Sequence, residues 1–437
     1  MRRRIAALGC WLAAWALPAL GATEIVVATV NNEHMIEMQR LTPHFERANP
    51  DIRVRWVTLE EATLRQRVST DMARGSSRYD VLTIGMYETQ IWARRGWLRP
   101  IDPPPDYDFA DLLPAIRAGL TQDGRLYAAP FYGESSMLYY RRDLTERAGI
   151  RLPERPTWRQ VREAAERLHD PAAGVYGICL RGKAGWGENL ALVMTMANAF
   201  GGQWADLNWR PQLDSKPWRD AVSLYVELLQ RFGPPGSAAN GYNELLGLFR
   251  AGRCALWVDA TIAAGFLDDR TNSRVAGRVG FAQAPRAVTA KGANWLWTWS
   301  LAVPTTSEHP QEARRFAAWA TSKAYTELVA RERGWAAVPT DTRRSTYEHP
   351  QFQRVAGAFA AAERKAIDSA DPDEPTLPRS PYRGIQYAAI PEFQTIGVAI
   401  GQQLAAALTG RVSVDQALRA AQATAERELR AAGYGGR

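Results

Sequence analysis

The sequence predicts an α/β protein built as two lobes, and three observations predict it. The chain has 437 residues, more than a single apolar core holds, which fits two bodies. Residues 24–85 run strand, helix, strand, helix, strand, an order that calls for a parallel sheet with helices on its faces. The third observation is the stretch 127–144, YAAPFYGESSMLYYRRDL, too rich in aromatic and branched residues for a surface loop. It carries Gly133 and Glu134 at its centre, where an ordinary core strand tolerates neither. We read it as two strands that leave one lobe and enter the other, with Glu134 at the bottom of the crevice between them.

The N-terminus comes first. Arg2, Arg3 and Arg4 precede IAALGCWLAAWALPAL, and the small residues Ala19, Gly21 and Ala22 follow. A charged start, a short apolar run and a cleavage-like end make a secretory leader over residues 1–22 rather than a membrane anchor, which places the mature chain in the periplasm. A lipoprotein reading through Leu8-Gly9-Cys10 is poor, because only five apolar residues precede the cysteine. No stretch of the body reaches the run of about 20 apolar residues that a membrane helix needs. Hydrophobic content of 46% and charged content of 23% are those of a globular protein. Of 54 basic side chains, 51 remain without the three leader arginines, against 46 acidic ones, a net charge of +5. The arginines are scattered among Asp and Glu, so they read as solvated surface and not as a nucleic-acid footprint.

Along the body, EIVVATV (24–30) is a buried-strand run that ends at Asn31-Asn32. Met35, Met38, Leu41 and Phe45 then recur at helical spacing. Ile52, Val54 and Trp56 alternate as a strand, and Leu64, Val68 and Met72 line a second helix closed by Gly75. YDVLTIG (79–85) is the third strand. In such sheets ligands bind beyond the carboxyl ends of the strands, where Asn31, Asn32, Tyr87 and Glu88 lie. Past the crossing segment, Thr157 caps a helix to about Leu168, Val175 to Leu180 is a strand, and RGKAGWGEN is a glycine-rich loop opening a helix at Leu190. Helices over 218–232 and 243–251 precede a strand at Ala255 to Asp259. GRVGFAQAP and NWLWTWSLAVP are further strands. EHPQ occurs at 308–311 and 348–351, each copy reading as a helix start with proline in its first turn.

Cys179 and Cys254 remain in the exported chain, either as a disulfide, which an oxidising compartment permits, or as two buried thiols. The five histidines have no metal-ligand spacing with each other or with the cysteines, and no cofactor fingerprint is present. There is no G-x-S-x-G, no P-loop, no G-x-G-x-x-G and no H-E-x-x-H. Glu134 with Glu188 or Asp259 is a formal acid/base pair of a glycoside hydrolase, a weak signal in a chain with 46 acidic residues.

The sixteen tryptophans are the unusual feature, since several stand among Gly, Asn and polar neighbours. Trp186 lies in AGWGEN, Trp204 and Trp209 in GGQWADLNW, and Trp295, Trp297 and Trp299 in NWLWTWS. Strand alternation puts the last three on one face, either core or cleft wall. Aromatic faces with Asp, Glu, Asn and Arg suit an uncharged polyhydroxylated ligand. Glu134 and Asp259 each end or interrupt an apolar strand, so each must be paired or face a water-filled cleft.

With these residues in hand, the chain resembles the extracellular solute-binding proteins of family 1, receptors of bacterial ABC sugar importers, and within them the sorbitol and mannitol branch. The resemblance rests on ATVNNEHMIEMQRL, YDVLTIGMYE, APFYGESSMLYYRRDL, YGICLRGKAGWGEN, GGQWADLNW, CALWVDAT, NWLWTWSLAVP and PYRGIQYAAIPEFQ, and it covers nearly all of the mature chain. It implies the type II periplasmic binding protein fold, two α/β lobes joined by crossing hinge strands, with lobe one at 24–128 plus 262–318 and lobe two at 129–261 plus 319–437. It implies ligand contacts at Asn31, Asn32, Tyr87, Glu88 and Glu134, at Trp186, Glu188, Asn189 and Asp259, and more distantly at Trp297, Arg343 and Gln386. Where related maltodextrin receptors carry an aromatic platform after the Asp259 strand, this chain has Thr261 and Ile262, which points to a ligand smaller than an oligosaccharide. The implied function is a monomeric, non-catalytic receptor that delivers a polyol, or alternatively a mono- or disaccharide, to an inner-membrane ABC permease.

Overall fold

The computed structural model describes residues 21–340 and 342–435. The expected leader, Cys10 included, lies outside the described residues but for its last two positions. The strands are β1 (Thr23–Val30), β2 (Ile52–Leu59), β3 (Val81–Ile84), β4 (Leu98–Arg99), a hairpin of β5 (Thr121–Gln122) and β6 (Arg125–Leu126), β7 (Ala128–Glu134), β8 (Ser136–Arg141), β9 (Tyr176–Cys179), β10 (Cys254–Ala260), β11 (Val279–Gln283) and β12 (Trp297–Pro304). The larger sheet runs β2-β1-β3-β12, with β4 and β7 both on the far side of β12. Its first three strands are parallel, as the alternating order predicts, while β12 is antiparallel to β3, β4 and β7. The smaller sheet runs β11-β8-β10-β9.

Local chemistry sets the helices that carry the site. Helix α1 (Glu33–Ala48) starts where the Asn32 side chain accepts from the Met35 amide at 3.0 Å, and it buries Met35, Met38, Leu41 and Phe45. Helix α2 (Glu61–Arg74) starts on Glu60, whose carboxylate accepts from the amides of Ala62 and Thr63, and ends on Gly75 at φ 66°. Helix α3 (Met86–Arg94) follows Gly85, whose amide donates to Glu88 at 3.0 Å. A side chain at Gly85 would strike the Trp297 ring at 1.9 Å, so the close approach of β3 to β12 requires glycine there. The two EHPQ copies open the helices Pro310–Ala320 and Pro350–Ala356, as proline in a first turn predicts.

The crossing segment 127–144 passes from the larger sheet to the smaller one through a single residue, Ser135, between β7 and β8. Ser135 is tied to the residue after β10 and to the later passage that leads into β12. Its amide donates to Thr261 Oγ1 at 3.0 Å, and its hydroxyl donates to the carbonyl of Trp295 at 2.7 Å. The connections of the two sheets therefore lie side by side. After β10 the chain stays with the smaller sheet through β11 and crosses between Gln283 and Trp297, later than the expected boundary at 262. It keeps to the larger sheet past residue 318, since the Gly133 amide donates to the Thr340 carbonyl at 2.9 Å. Cys179 and Cys254 are bonded across the adjacent parallel strands β9 and β10, with their Cα atoms 5.9 Å apart.

Candidate functional site: a cavity between the two sheets

Residues from both sheets converge on a cavity of about 110 Å³. That is small beside the roughly 300–1,000 Å³ of pockets for drug-sized ligands. The larger-sheet side contributes Asn31 and Asn32 after β1, Glu60, Glu61 and Arg65 after β2, Tyr132 and Glu134 from β7, and Trp295, Trp297 and Trp299 at β12. The smaller-sheet side contributes Arg181, Lys183, Trp186 and Glu188 from the loop after β9, together with Tyr242, Asn243 and Glu244. The three alternating tryptophans thus form cleft wall, the second of the two roles that strand alternation left open.

Two buried arginines organise the walls. Arg65 donates through Nε to Glu61 at 3.0 Å and through Nη1 to Glu88, whose other oxygen holds the Gly85 amide. Its guanidinium lies over Trp186, Trp297 and Trp299, at 4.1, 4.8 and 4.9 Å from the ring centres. Arg181 donates to both oxygens of Asp259 and to the Gly187 carbonyl. Burial works to lower the Arg181 pKa. The charge and hydrogen bonds of Asp259, then the charges of Glu188 and Glu134, outweigh it and hold the guanidinium protonated. Burial also pushes the Glu188 carboxyl up to about 8, a shift opposed by Arg181 and reinforced by Glu61.

Among the described residues, three buried atoms on the cavity wall make no hydrogen bond: Glu188 Oε2, which lies 3.6 Å from Arg181 Nη1, Tyr242 Oη and Trp295 Nε1. Buried polar groups are nearly always partnered. A carboxyl oxygen, a donor–acceptor hydroxyl and a pure donor are therefore ready for the hydroxyls of a guest. The two sides meet around the cavity. Lys183 donates to Glu60 at 2.8 Å, Arg250 Nη2 to Glu33 at 2.9 Å, and Asn243 to the Asn31 carbonyl at 3.3 Å.

Of the residues singled out in the sequence, Asn31, Asn32, Glu134, Trp186, Glu188, Trp297 and Gln386 line the cavity. Asn32 also donates to Tyr132 Oη at 2.8 Å, and Gln386 donates to the Leu296 carbonyl at 2.8 Å. The other five do not line it. Glu88 stands behind Arg65. Tyr87 packs on Trp186 at 5.2 Å between ring centres and donates to the carbonyls of Ile390 and Pro391. Asn189 is spent on the backbone of Gly401 and Gly185. Asp259 is fully buried against Arg181 and the Trp257 indole nitrogen, so it is paired and not open to the cleft. Arg343 is buried with Asp111 and the carbonyls of Asp108 and Thr321.

Sequence reasoning missed Glu60, Glu61, Arg65, Arg181, Lys183 and Tyr242. The carboxyl-end rule that found Asn31 and Tyr87 applies equally to β2, and there it finds Glu60 and Glu61. A carboxylate ending the apolar run before Thr261 also demands a cation, which the basic residue ending the neighbouring strand run, Arg181, supplies.

The family profile described as bacterial extracellular solute-binding protein matches residues 31–327. A mannitol-binding protein of Pseudomonas aeruginosa is 52% identical over 422 residues, covering 96% of each chain. Among solved structures, an ABC transporter solute-binding protein of Agrobacterium vitis with bound D-mannitol is 53% identical. It superposes with a TM-score of 0.93 over 94% of this chain and 99% of that one. A solute-binding protein of Agrobacterium radiobacter in complex with ribitol, at 22% identity, shares the fold with a TM-score of 0.82, over 93% and 99% of the two chains.

Proposed function

Because the chain belongs to the bacterial extracellular solute-binding protein family, we propose that it is the receptor of an ABC importer, holding a polyol such as mannitol or sorbitol between two lobes and catalysing nothing. The observation that carries this reading is the small cavity to whose wall both sides of the cleft bring atoms without a hydrogen bond among the described residues, on Glu188, Tyr242 and Trp295. A neutral guest with a hydroxyl on every carbon satisfies such a scattered set, because each hydroxyl both donates and accepts. The mannitol-binding relative and the mannitol-bound solved structure support the choice of ligand.

The lobes in this reading are centred on the two sheets, with the connections near Ser135 and Trp295 as the hinge. Asn31, Asn32, Glu134, Trp186, Glu188, Trp297 and Gln386 contact the ligand directly, joined by Glu61, Arg181, Lys183 and Tyr242. Tyr87, Glu88, Asn189 and Asp259 act from behind that wall by holding its groups in place. A ligand that bridges both lobes favours the closed arrangement by its extra contacts there, and the closed monomer docks on an inner-membrane permease from the periplasmic side. Calorimetric titration of the purified chain with mannitol, sorbitol, arabitol and ribitol tests this. Saturable one-to-one binding of at least one is expected, and no heat with any of them or with a monosaccharide refutes it.

A further inference from the structure

Resting on the polyol reading above, we infer that Arg65 sets the choice between open-chain and ring-closed ligands. A pyranose offers a flat C–H face and is matched by a bare aromatic face. In this cavity the guanidinium of Arg65, itself part of the wall, covers Trp186, Trp297 and Trp299 at 4.1, 4.8 and 4.9 Å. Arg181 stands in the same way over Trp295 and Tyr242, at 5.5 and 5.4 Å. Tyr132 is engaged by Asn32 through its hydroxyl and by His34 against its ring, 5.1 Å between centres. The wall is rich in aromatic residues and yet presents cations and hydrogen-bonding atoms.

Arg65 is not free to step aside. Glu61 and Glu88 both hold it, and its guanidinium lies against one indole of the smaller-sheet side, Trp186, and two of the larger-sheet side. A sugar ring stacking on these indoles displaces the guanidinium and strands two carboxylates that it pairs, Glu61 and the buried Glu88. A flexible chain of hydroxyls threads past it and reaches the Glu188, Tyr242 and Trp295 atoms. The contact with Trp186 also spans the cleft, so the selecting group is assembled only when the two sides meet.

The experiment compares D-mannitol with methyl α-D-mannopyranoside, a ring locked shut, on the full chain by calorimetry. The wild type is expected to favour mannitol by about 100-fold or more, and Arg65→Ala to bind mannitol more weakly while narrowing that ratio below about tenfold. Arg65→Met, which keeps the packing of the stem, must narrow it in the same way, with circular dichroism as the check on folding. Equal binding of both ligands by the wild type, or an unchanged ratio in folded Arg65 variants, overturns the inference and leaves the polyol reading standing. If neither variant folds, Arg65→Lys, which keeps a charge for Glu61 and Glu88 but loses the guanidinium over the indoles, must narrow the ratio in their place. Binding of neither ligand by the wild type overturns this inference, and the polyol reading falls with it only if sorbitol, arabitol, ribitol and monosaccharides give no heat either.

Discussion

Arg181 reaches both oxygens of Asp259, through Nε at 3.1 and 3.0 Å and through Nη2 at 2.6 Å, on a carboxylate with no solvent exposure. Removing one partner of such a pair leaves a buried charge without compensation. Asp259→Ala is expected to cost about 3–5 kcal/mol of stability. The double change Arg181→Met with Asp259→Leu is expected to cost less than the single one, because it removes both charges together. Urea unfolding of the three proteins checks the order, and an equal or greater loss in the double variant contradicts it.

The bond between Cys179 and Cys254 closes a loop across a sequence separation of 75 residues. Constraining the unfolded chain in this way is worth about 2–4 kcal/mol. The chain should unfold at lower urea after reduction with dithiothreitol, and Cys179→Ala with Cys254→Ala should reproduce that shift and be insensitive to reductant. Identical midpoints with and without reductant would show that the bond contributes nothing.

Glu188 should make stability fall as pH rises. Its carboxyl is raised from the ordinary 4.5 to about 8, so the folded protein keeps a proton that the unfolded chain releases. The contribution is complete below about pH 4.5 and is lost progressively up to about pH 8. Melting temperatures at pH 5, 6, 7 and 8 should decline more steeply in the wild type than in Glu188→Gln, which carries the neutral form at every pH. Parallel slopes for the two proteins refute this.

Gly187 sits where the smaller-sheet loop meets α2, and a Cβ there would stand 2.0 Å from Glu61 Oε1. Glu61 can swing away only by releasing Arg65. Gly187→Ala is therefore expected to weaken polyol binding about tenfold while leaving the ligand-free melting temperature nearly unchanged. A matching drop in both would place the fault in folding and not in closure.

Lys183 and Glu60 meet across the cleft at 2.8 Å with both side chains partly solvated. Such pairs are worth about 0.2–1 kcal/mol and are screened by salt. Lys183→Met should raise the dissociation rate of a bound polyol a few-fold at low salt, and the difference should shrink as salt is added. A salt-independent difference would show that the pair with Glu60 contributes nothing and that the effect comes from the contact of Lys183 with the ligand alone.

Much of this architecture is legible in the residues because regular elements obey short-range rules. The parallel order of β1, β2 and β3, the Thr157 cap and both proline-led helices follow from periodicity and capping chemistry. The passage at Ser135 is legible because Glu134 interrupts an apolar run. What stays hidden depends on which partner a charge finds. Asp259 looks open to the cleft until Arg181 is placed against it, and Arg343 looks like a cleft residue until Asp111 takes it. Arg65 lies on an amphipathic helix whose charged residues are all alike in sequence, and only the approach of β12 shows that this one points inward among indoles. The later crossing after β11 was equally unreadable, since a strand does not reveal from its own residues which of two sheets it joins.

Trp186, Trp295, Trp297 and Trp299 stand together on the cavity wall, three of them within reach of one fixed cation. Indole emission responds to nearby charge and to the loss of water, so a guest settling among these rings changes the light the protein gives off. The molecule reports its own occupancy without a dye, and screening a shelf of candidate compounds needs only a cuvette and a lamp.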